Sequence, residues 1–524
     1  MDWRAVIGDF NGLAEALVRV LSRHKVATLM GHNKRTINDW LSGAVPAKPE
    51  EVAWMLRFAL QNGVDVSRFQ TYSPIYDFSE MLSYEEMVAR RPPDLSWLTH
   101  TQPPPPADID FCGIKIDTPL GVASSPLTAN EAWAELMLNL HYGLSTLKTR
   151  RAEVKDSWNP PQIAFVQEPP NLLNYDPSDP PTVLVSLNRQ AAAGPVPDIV
   201  NSIGVPSETP AQWQSIYLTV RNHPRGKYLG LSVMGEGKTY REIEASFARA
   251  VEAAKEVRPP FIELNLSCPN LGLKTDMCDD AALARRICAR AREILRGTGI
   301  ILVAKLPARP HESMQGIIKA IGGHVDAVAL RNTIKVRPVV RDRRDGRLHP
   351  AFQGRDFGGL SGPCTFEMTR QGVAELLRIK ESLGLEFGVI AIGGVETQAH
   401  VMELLNVGAD IVQACTAAMF DPLLAWKVKF HMKQTASETA VGEVATLLHP
   451  RDKVEIESLR NAYEAASELQ RRRPDRAVPY EVLAERWNLW MEQRPSAPVG
   501  KAQRLSAPKT VAEWVREFAS WNQK

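Results

Sequence analysis

Eight short, almost unbroken apolar runs recur between residues 120 and 414: 120–124, 144–148, 228–233, 261–266, 300–305, 325–330, 388–392 and 410–414. Helical spacing follows most of them, as in 240–257, 280–296, 366–383 and 397–407. Strands that are apolar along their whole length need cover on both faces, and intervening helices supply it, so the pattern predicts an α/β fold with a parallel sheet. Eight such units predict closure into a (β/α)8 TIM barrel. An open, doubly wound sheet is the rival, and periodicity alone does not separate the two. No G-x-G-x-x-G follows any of the runs, which argues against a nicotinamide-binding Rossmann domain.

The remaining sequence divides around this core. A chain of 524 residues that is 44% hydrophobic can bury two or three cores. Residues 1–66 read as several short helices, and 67–106 as a linker ending in the run Pro103 to Pro106, which can continue neither a helix nor a central strand. The barrel is expected over 107–435. A polar C-terminal extension, 436–524, has helical segments at 453–469, 479–493 and 511–521 and serves in packing or subunit contact. The 62 basic and 60 acidic side chains balance, so no global field draws the chain to nucleic acid or anionic membrane. None of the six cysteines forms a C-x-x-C pair, so no metal or iron–sulfur site is expected. Scattered cysteines, the absence of a signal-like N-terminus and the lack of an apolar run of ~18 residues predict a soluble, cytoplasmic protein with no membrane partner.

In a barrel of this kind chemistry gathers at the C-terminal ends of the strands. There the first strand delivers Ala123 and Ser124, the second Lys148-Thr149, the fourth Asn265 to Asn270, the fifth Lys305 and the sixth Asn332-Thr333. The seventh and eighth end in Gly393-Gly394 and Cys415-Thr416, and a glycine-rich loop, Gly358 to Gly362, precedes the seventh. Glycines at such ends expose backbone N–H groups that can cradle a phosphate. Taken singly, a Gly-Gly pair is more often a tight turn, a lone cysteine a small core residue and a strand-end asparagine a loop stabiliser. Their joint placement on one rim favours a functional site.

The segment from Phe111 to Lys433 resembles the dihydroorotate dehydrogenase family, and shares features with the related flavin domain of dihydropyrimidine dehydrogenase. The resemblance rests on Asn-Leu-Ser-Cys-Pro-Asn at 265–270, with Thr146-Leu-Lys-Thr, Asn201-Ser-Ile-Gly-Val-Pro, Ala304-Lys-Leu-Pro, Arg331-Asn-Thr, the Gly358 loop, Ile392-Gly-Gly and Gln413-Ala-Cys-Thr-Ala. It implies an FMN-dependent oxidation of dihydroorotate to orotate in pyrimidine biosynthesis. A base removes a proton from C5 and hydride leaves C6 for the flavin. Cys268 matches the family's cysteine base, as in the soluble class 1 enzymes, and a thiol with pKa ~8.5 is within reach of that task.

The same resemblance places Lys305 beside the flavin ring, where positive charge favours the anionic reduced form, and Lys148 against both flavin and substrate. Snorkelling to the barrel surface is the bland alternative for both lysines. Asn201, Asn265, Asn270 and Asn332 match substrate contacts, since a carboxamide can serve donors and acceptors of a planar dione together. Thr333 and backbone at Ile203, Gly204 and Val205 complete the pocket. Ala123, Ser124, Gly359, Gly362, Gly393, Gly394, Cys415 and Thr416 fall to the cofactor.

Three departures bear on the substrate. Ser207 stands where the family usually has asparagine, the loop after Asn270 is unlike the usual one, and the opening Ala123-Ser-Ser-Pro-Leu-Thr leans toward the dihydropyrimidine dehydrogenase branch, so a dihydrouracil-type substrate stays open. With no cluster or nicotinamide motif in the chain, the electron acceptor is expected to be a soluble small molecule or a separate reductase subunit, and relatives that pair their barrels imply a homo-oligomer.

Residues 23–46 resemble a repressor-type helix-turn-helix, with Ala27 allowing close packing, Gly31 at the turn and 33–41 as recognition helix. Lys34, Arg35 and Asn38 would then face DNA. A pyrimidine-sensing DNA-binding regulator is therefore a third reading. The region lacks a basic excess, and docking or dimerisation would use the same helices.

Overall fold

The computed structural model describes residues 4–432, except 5, 73, 77, 79–81, 100–108, 190–193, 222–225, 267–279, 308–310 and 343. Cys268, Asn270, the Pro103 to Pro106 run and the three expected C-terminal helices lie outside the described residues.

All eight apolar runs are strands of one parallel sheet. In chain order they are β1 (Leu120–Val122), β2 (Leu144–Arg150), β3 (Tyr228–Val233), β4 (Phe261–Asn265), β5 (Ile301–Leu306), β6 (Ala327–Leu330), β7 (Gly388–Ile392) and β8 (Ile411–Ala414). Parallel pairing runs without a break from β2 through β3, β4, β5, β6, β7 and β8 to β1. The remaining seam, β1 against β2, meets without a ladder. It is bridged by Gly143 N donating to Leu120 O at 2.8 Å and Val122 N donating to Ser145 Oγ at 3.3 Å. The nearly closed sheet is a TIM barrel, and the near-total burial of its strands follows from cover on both faces.

Two additions decide which end of the barrel is open. An antiparallel hairpin of Ile109–Phe111 and Ile114–Ile116 places Phe111 and Ile116 in one buried cluster with Leu144, Phe261, Ile301 and Ile390, at the N-terminal ends of the strands. That end is thereby plugged. The second addition was not foreseen from periodicity. Five strands, Ile163–Val166, Thr182–Ser186, Ile199–Asn201, Ile334–Arg341 and Gly358–Ser361, pair in a ring, with Leu348–Pro350 on its outside. They leave the barrel after β2 and β6, and their own core includes Val166, Val183, Val200, Val336, Phe352 and Leu360.

Of the expected linker, the described residues from Gln70 on belong to the same compact unit as the barrel, which clusters over Gln70–Lys429. Asn130 Nδ2 donates to Val88 O at 2.8 Å and Trp133 Nε1 to Arg90 O at 3.2 Å, while Tyr76, Tyr84, Met87 and Trp97 are buried. Burying those aromatic side chains favours packing over free extension.

The unit Asp9–Phe69 has helices Phe10–Leu21, Arg23–Met30, Lys34–Leu41 and Pro49–Gln61 around Leu13, Leu17, Val26, Ile37, Trp40, Val52 and Leu56. Gly31 ends the second helix at φ 67°, and Asn33 caps the third by accepting from Thr36 N at 2.9 Å. Lys34, Arg35 and Asn38 are exposed. Among the described residues, no helix is long and apolar enough to cross a membrane.

Candidate active site

A network of hydroxyls and amides ties together the C-terminal ends of the strands. Thr149 Oγ1 lies 3.0 Å from Ser124 Oγ and 2.9 Å from Ser232 Oγ, and accepts from Asn265 Nδ2 at 3.2 Å. Asn265 Oδ1 in turn accepts from Asn332 Nδ2 at 3.2 Å, and Asn332 Oδ1 accepts from Thr333 N at 2.9 Å. Five strand ends are thus held in one register, which fixes the asparagine side chains against rotation. From the ring of added strands Asn201 reaches in, its Nδ2 donating to Gly359 O at 3.0 Å.

Two lysines occupy the same end of the barrel, both buried. Burial, reinforced by Arg150, Lys305 and Arg151, pushes Lys148 down to about 7. Its ammonium lies over the Tyr84 ring, 6.0 Å from the centroid. Lys305 Nζ sits 3.8 Å from Glu263 Oε1, a carboxylate pointing into the barrel two residues before Asn265. Burial also raises the Cys415 thiol, against the opposing pull of Ser125, Lys305 and Lys148.

The glycine end is built by close approach. Gly362, Gly393 and Gly394 have φ of 123°, 116° and 74°. A Cβ on Gly394 would lie 2.1 Å from Phe366 N, so the loop after β7 packs directly on the start of helix Phe366–Ser382. The positive end of that helix dipole faces this corner. Thr416 Oγ1 donates to Ser361 Oγ at 3.2 Å, joining the end of β8 to the glycine-rich loop.

These groups share one cavity of about 550 Å³. Every described candidate lines it: Ala123, Ser124, Lys148, Asn201, Ile203, Gly204, Val205, Asn265, Lys305, Asn332, Thr333, Gly359, Gly362, Gly393, Gly394, Cys415 and Thr416. The volume is that of a small-molecule or cofactor pocket. A glycine-lined corner suited to phosphate, with two lysines and a set of carboxamides along the wall, fits FMN together with a small planar substrate.

Sequence reasoning passed over several residues of the same cavity. Arg151, Lys155, Trp158, Glu236 and Lys335 also line it. Arg151 directly follows β2 and Glu236 lies three residues beyond β3, the one strand end to which no role had been given; that omission was the available signal. Trp158 covers Gly204, whose Cβ would lie 2.9 Å from the indole. Ser207, the departure from the family pattern, is buried and structural: its Oγ accepts from Arg151 N at 3.0 Å and its backbone pairs with Lys155.

Known proteins agree with this architecture. The family model described as dihydroorotate dehydrogenase matches residues 191–435. A dihydroorotate dehydrogenase of Dictyostelium discoideum is 24% identical over 324 residues, 61% of this chain and 86% of that protein. The catalytic subunit of dihydroorotate dehydrogenase B (NAD(+)) from Desulforudis audaxviator is 26% identical over 36% of this chain and 57% of its own length. A dihydroorotate dehydrogenase (quinone) from Methylibium petroleiphilum is 30% identical over 30% of this chain and 45% of its own length. The chain thus spans most of the first relative and about half of the other two. Through its barrel this chain is similar to the dihydroorotate dehydrogenase family, oxidoreductases that act on CH–CH bonds.

Proposed function

We propose that the chain oxidises dihydroorotate to orotate with FMN as its prosthetic group. The observation that carries this is the convergence of Lys148, Lys305, Asn201, Asn265 and Asn332, drawn from four barrel strands and the added ring, on a single cavity. FMN supplies the acceptor for the hydride leaving C6. Gly362, Gly393, Gly394 and Thr416 hold its phosphate, and Lys305 provides positive charge beside the ring. Asn201, Asn265 and Asn332 orient the dione, with Asn270 as a fourth contact, and Cys268 takes the proton from C5. A soluble acceptor or a separate reductase subunit receives the electrons.

Anaerobic mixing with dihydroorotate, and separately with dihydrouracil, while following flavin absorbance near about 450 nm tests the proposal. Rapid bleaching by dihydroorotate is expected, slowed roughly 10²–10⁴-fold by Cys268→Ala. Bleaching by dihydrouracil alone would move the substrate to the neutral dihydropyrimidines. A bound flavin that neither compound reduces would sink both.

Lys148 makes the site sensitive to pH. Its folded-state pKa of about 7 lies below the ordinary lysine value because burial disfavours the ammonium. The unfolded chain therefore holds more protons between those two values, and this group's contribution to stability rises with pH across that window. An anionic ligand reverses the preference and draws a proton onto the amine. Orotate affinity is expected to fall above pH 7, approaching about tenfold per pH unit, with net proton uptake on binding. Calorimetry in buffers of different ionisation enthalpy measures that uptake. Lys148→Met should abolish it, and a pH-independent affinity in the unsubstituted protein would rule the coupling out.

A further inference from the structure

Among the described residues the cavity wall carries six basic side chains, Lys148, Arg151, Lys155, Lys305, Arg331 and Lys335, and two acidic ones, Asp156 and Glu236. A phosphate at the glycine corner has backbone amides to meet it, so much of this basic excess is left for a second anion. Arg151 is the most constrained of the side chains around the substrate loop. Its side chain is 5% exposed, and its Nε donates to Val205 O at 2.8 Å. The main chain is fixed on both sides, Arg151 N donating to Ser207 Oγ and Arg151 O accepting from Trp213 Nε1 at 3.2 Å. The guanidinium is therefore held against the segment 203–205.

Its acidic neighbour among the described residues is Glu236. Nη1 lies 2.6 Å from Glu236 Oε2, an ion pair without the alignment of a directed hydrogen bond. Glu236 is shared, since Lys155 Nζ lies 3.6 Å from the same oxygen, and its side chain is 35% exposed. Two cations on one partly solvated carboxylate leave a net positive charge with unspent donors, which a planar guanidinium offers to a carboxylate in fork geometry.

Resting on the proposed dihydropyrimidine chemistry, we infer that Arg151, in its seat between the 203–205 segment and Glu236, is the specificity residue that recognises the substrate's carboxylate. Dihydroorotate and dihydrouracil differ in that group alone, so Arg151 decides between the two substrate classes that the motifs leave open. Removing a buried cation that meets the carboxylate is costly for the carboxylate-bearing ligand and indifferent to the neutral one.

The test uses the flavin-loaded protein, its variants Arg151→Gln, Arg151→Lys and Glu236→Gln, and two readouts: the flavin spectral shift on binding orotate or uracil, and reduction by dihydroorotate or dihydrouracil. Arg151→Gln should weaken orotate binding and raise the dihydroorotate KM tenfold or more, with kcat changed far less and the uracil-type ligands unaffected within about twofold. Arg151→Lys should recover part of the loss, and Glu236→Gln, by releasing the guanidinium, should tighten orotate alone. Flavin content and melting temperature report whether each variant folds, and Glu236→Gln keeps the test open if Arg151→Gln does not. Equal weakening of both ligand classes would make Arg151 a prop for the 203–205 segment and overturn the inference, as would unchanged orotate affinity in all three variants. If orotate fails to bind the unsubstituted flavoprotein, the substrate reading falls and the inference with it.

Discussion

Lys305→Met is expected to destabilise the barrel by roughly 3–5 kcal/mol, because it takes the cation away from a buried carboxylate. Glu263 is 1% exposed, Lys305 Nζ is 3.8 Å away, and Glu263 Oε1 has no hydrogen-bond partner among the described residues. The two residues face inward from neighbouring strands, where Lys305 registers against Asn265 and Val303 against Glu263. Adding Glu263→Gln to Lys305→Met should recover most of the stability, since a neutral amide costs far less to bury than an unpaired charge. Turnover with dihydroorotate should stay down by about 100-fold or more in both variants, because the cation proposed to stand beside the flavin is missing in each. Chemical denaturation together with steady-state kinetics separates the two effects. A single variant as stable as the parent would show that the pair does not matter to the fold.

Gly121→Ala should be at least as damaging, by a steric route. The barrel closes where β1 meets β2 without a ladder, and a Cβ on Gly121 would lie 1.6 Å from Leu144 O and 2.5 Å from Leu144 C. Both atoms are backbone, so no side-chain rotation relieves the overlap and the seam must open. A loss of about 4 kcal/mol or more is expected, at the rare end for a single methyl group. Gly316→Ala is the control. Gly316 is exposed within helix His311–Ile321, and an added Cβ meets nothing within 4 Å, so the helix should gain up to about 1 kcal/mol. Melting curves of the two variants decide the matter, and comparable stabilities would sink the account of the seam.

The eight barrel strands were legible because each is buried on both faces and therefore written as a continuous apolar run. Errors were confined to one or two residues at their ends, as where 325–330 proved to be Ala327–Leu330. Strand-end polar residues were legible for the same reason: a lysine or asparagine that closes an apolar run stands out. The added ring escaped notice because its strands are three to eight residues long and paired by distant segments. Ile334–Arg341, for example, alternates buried and half-exposed residues and contains a proline. Asn201 was singled out by motif, yet nothing local said that it sits on a strand facing Gly359.

The chain's own sequence determined the number of barrel strands, their burial on both faces, and which chemical groups arrive at the C-terminal rim, since all three follow from local periodicity and chain direction. Only the tertiary structure decided how those groups meet. Lys148 is pushed down to about 7 first by burial in the folded barrel and then by cations that include Lys305 from another strand, Lys305 has a glutamate from the neighbouring strand beside it, and Arg151 is aimed by a loop more than fifty residues away. Electrostatic interactions act through space in a medium of low polarity, so their strength is set by which surfaces the closed barrel brings together and not by spacing along the chain.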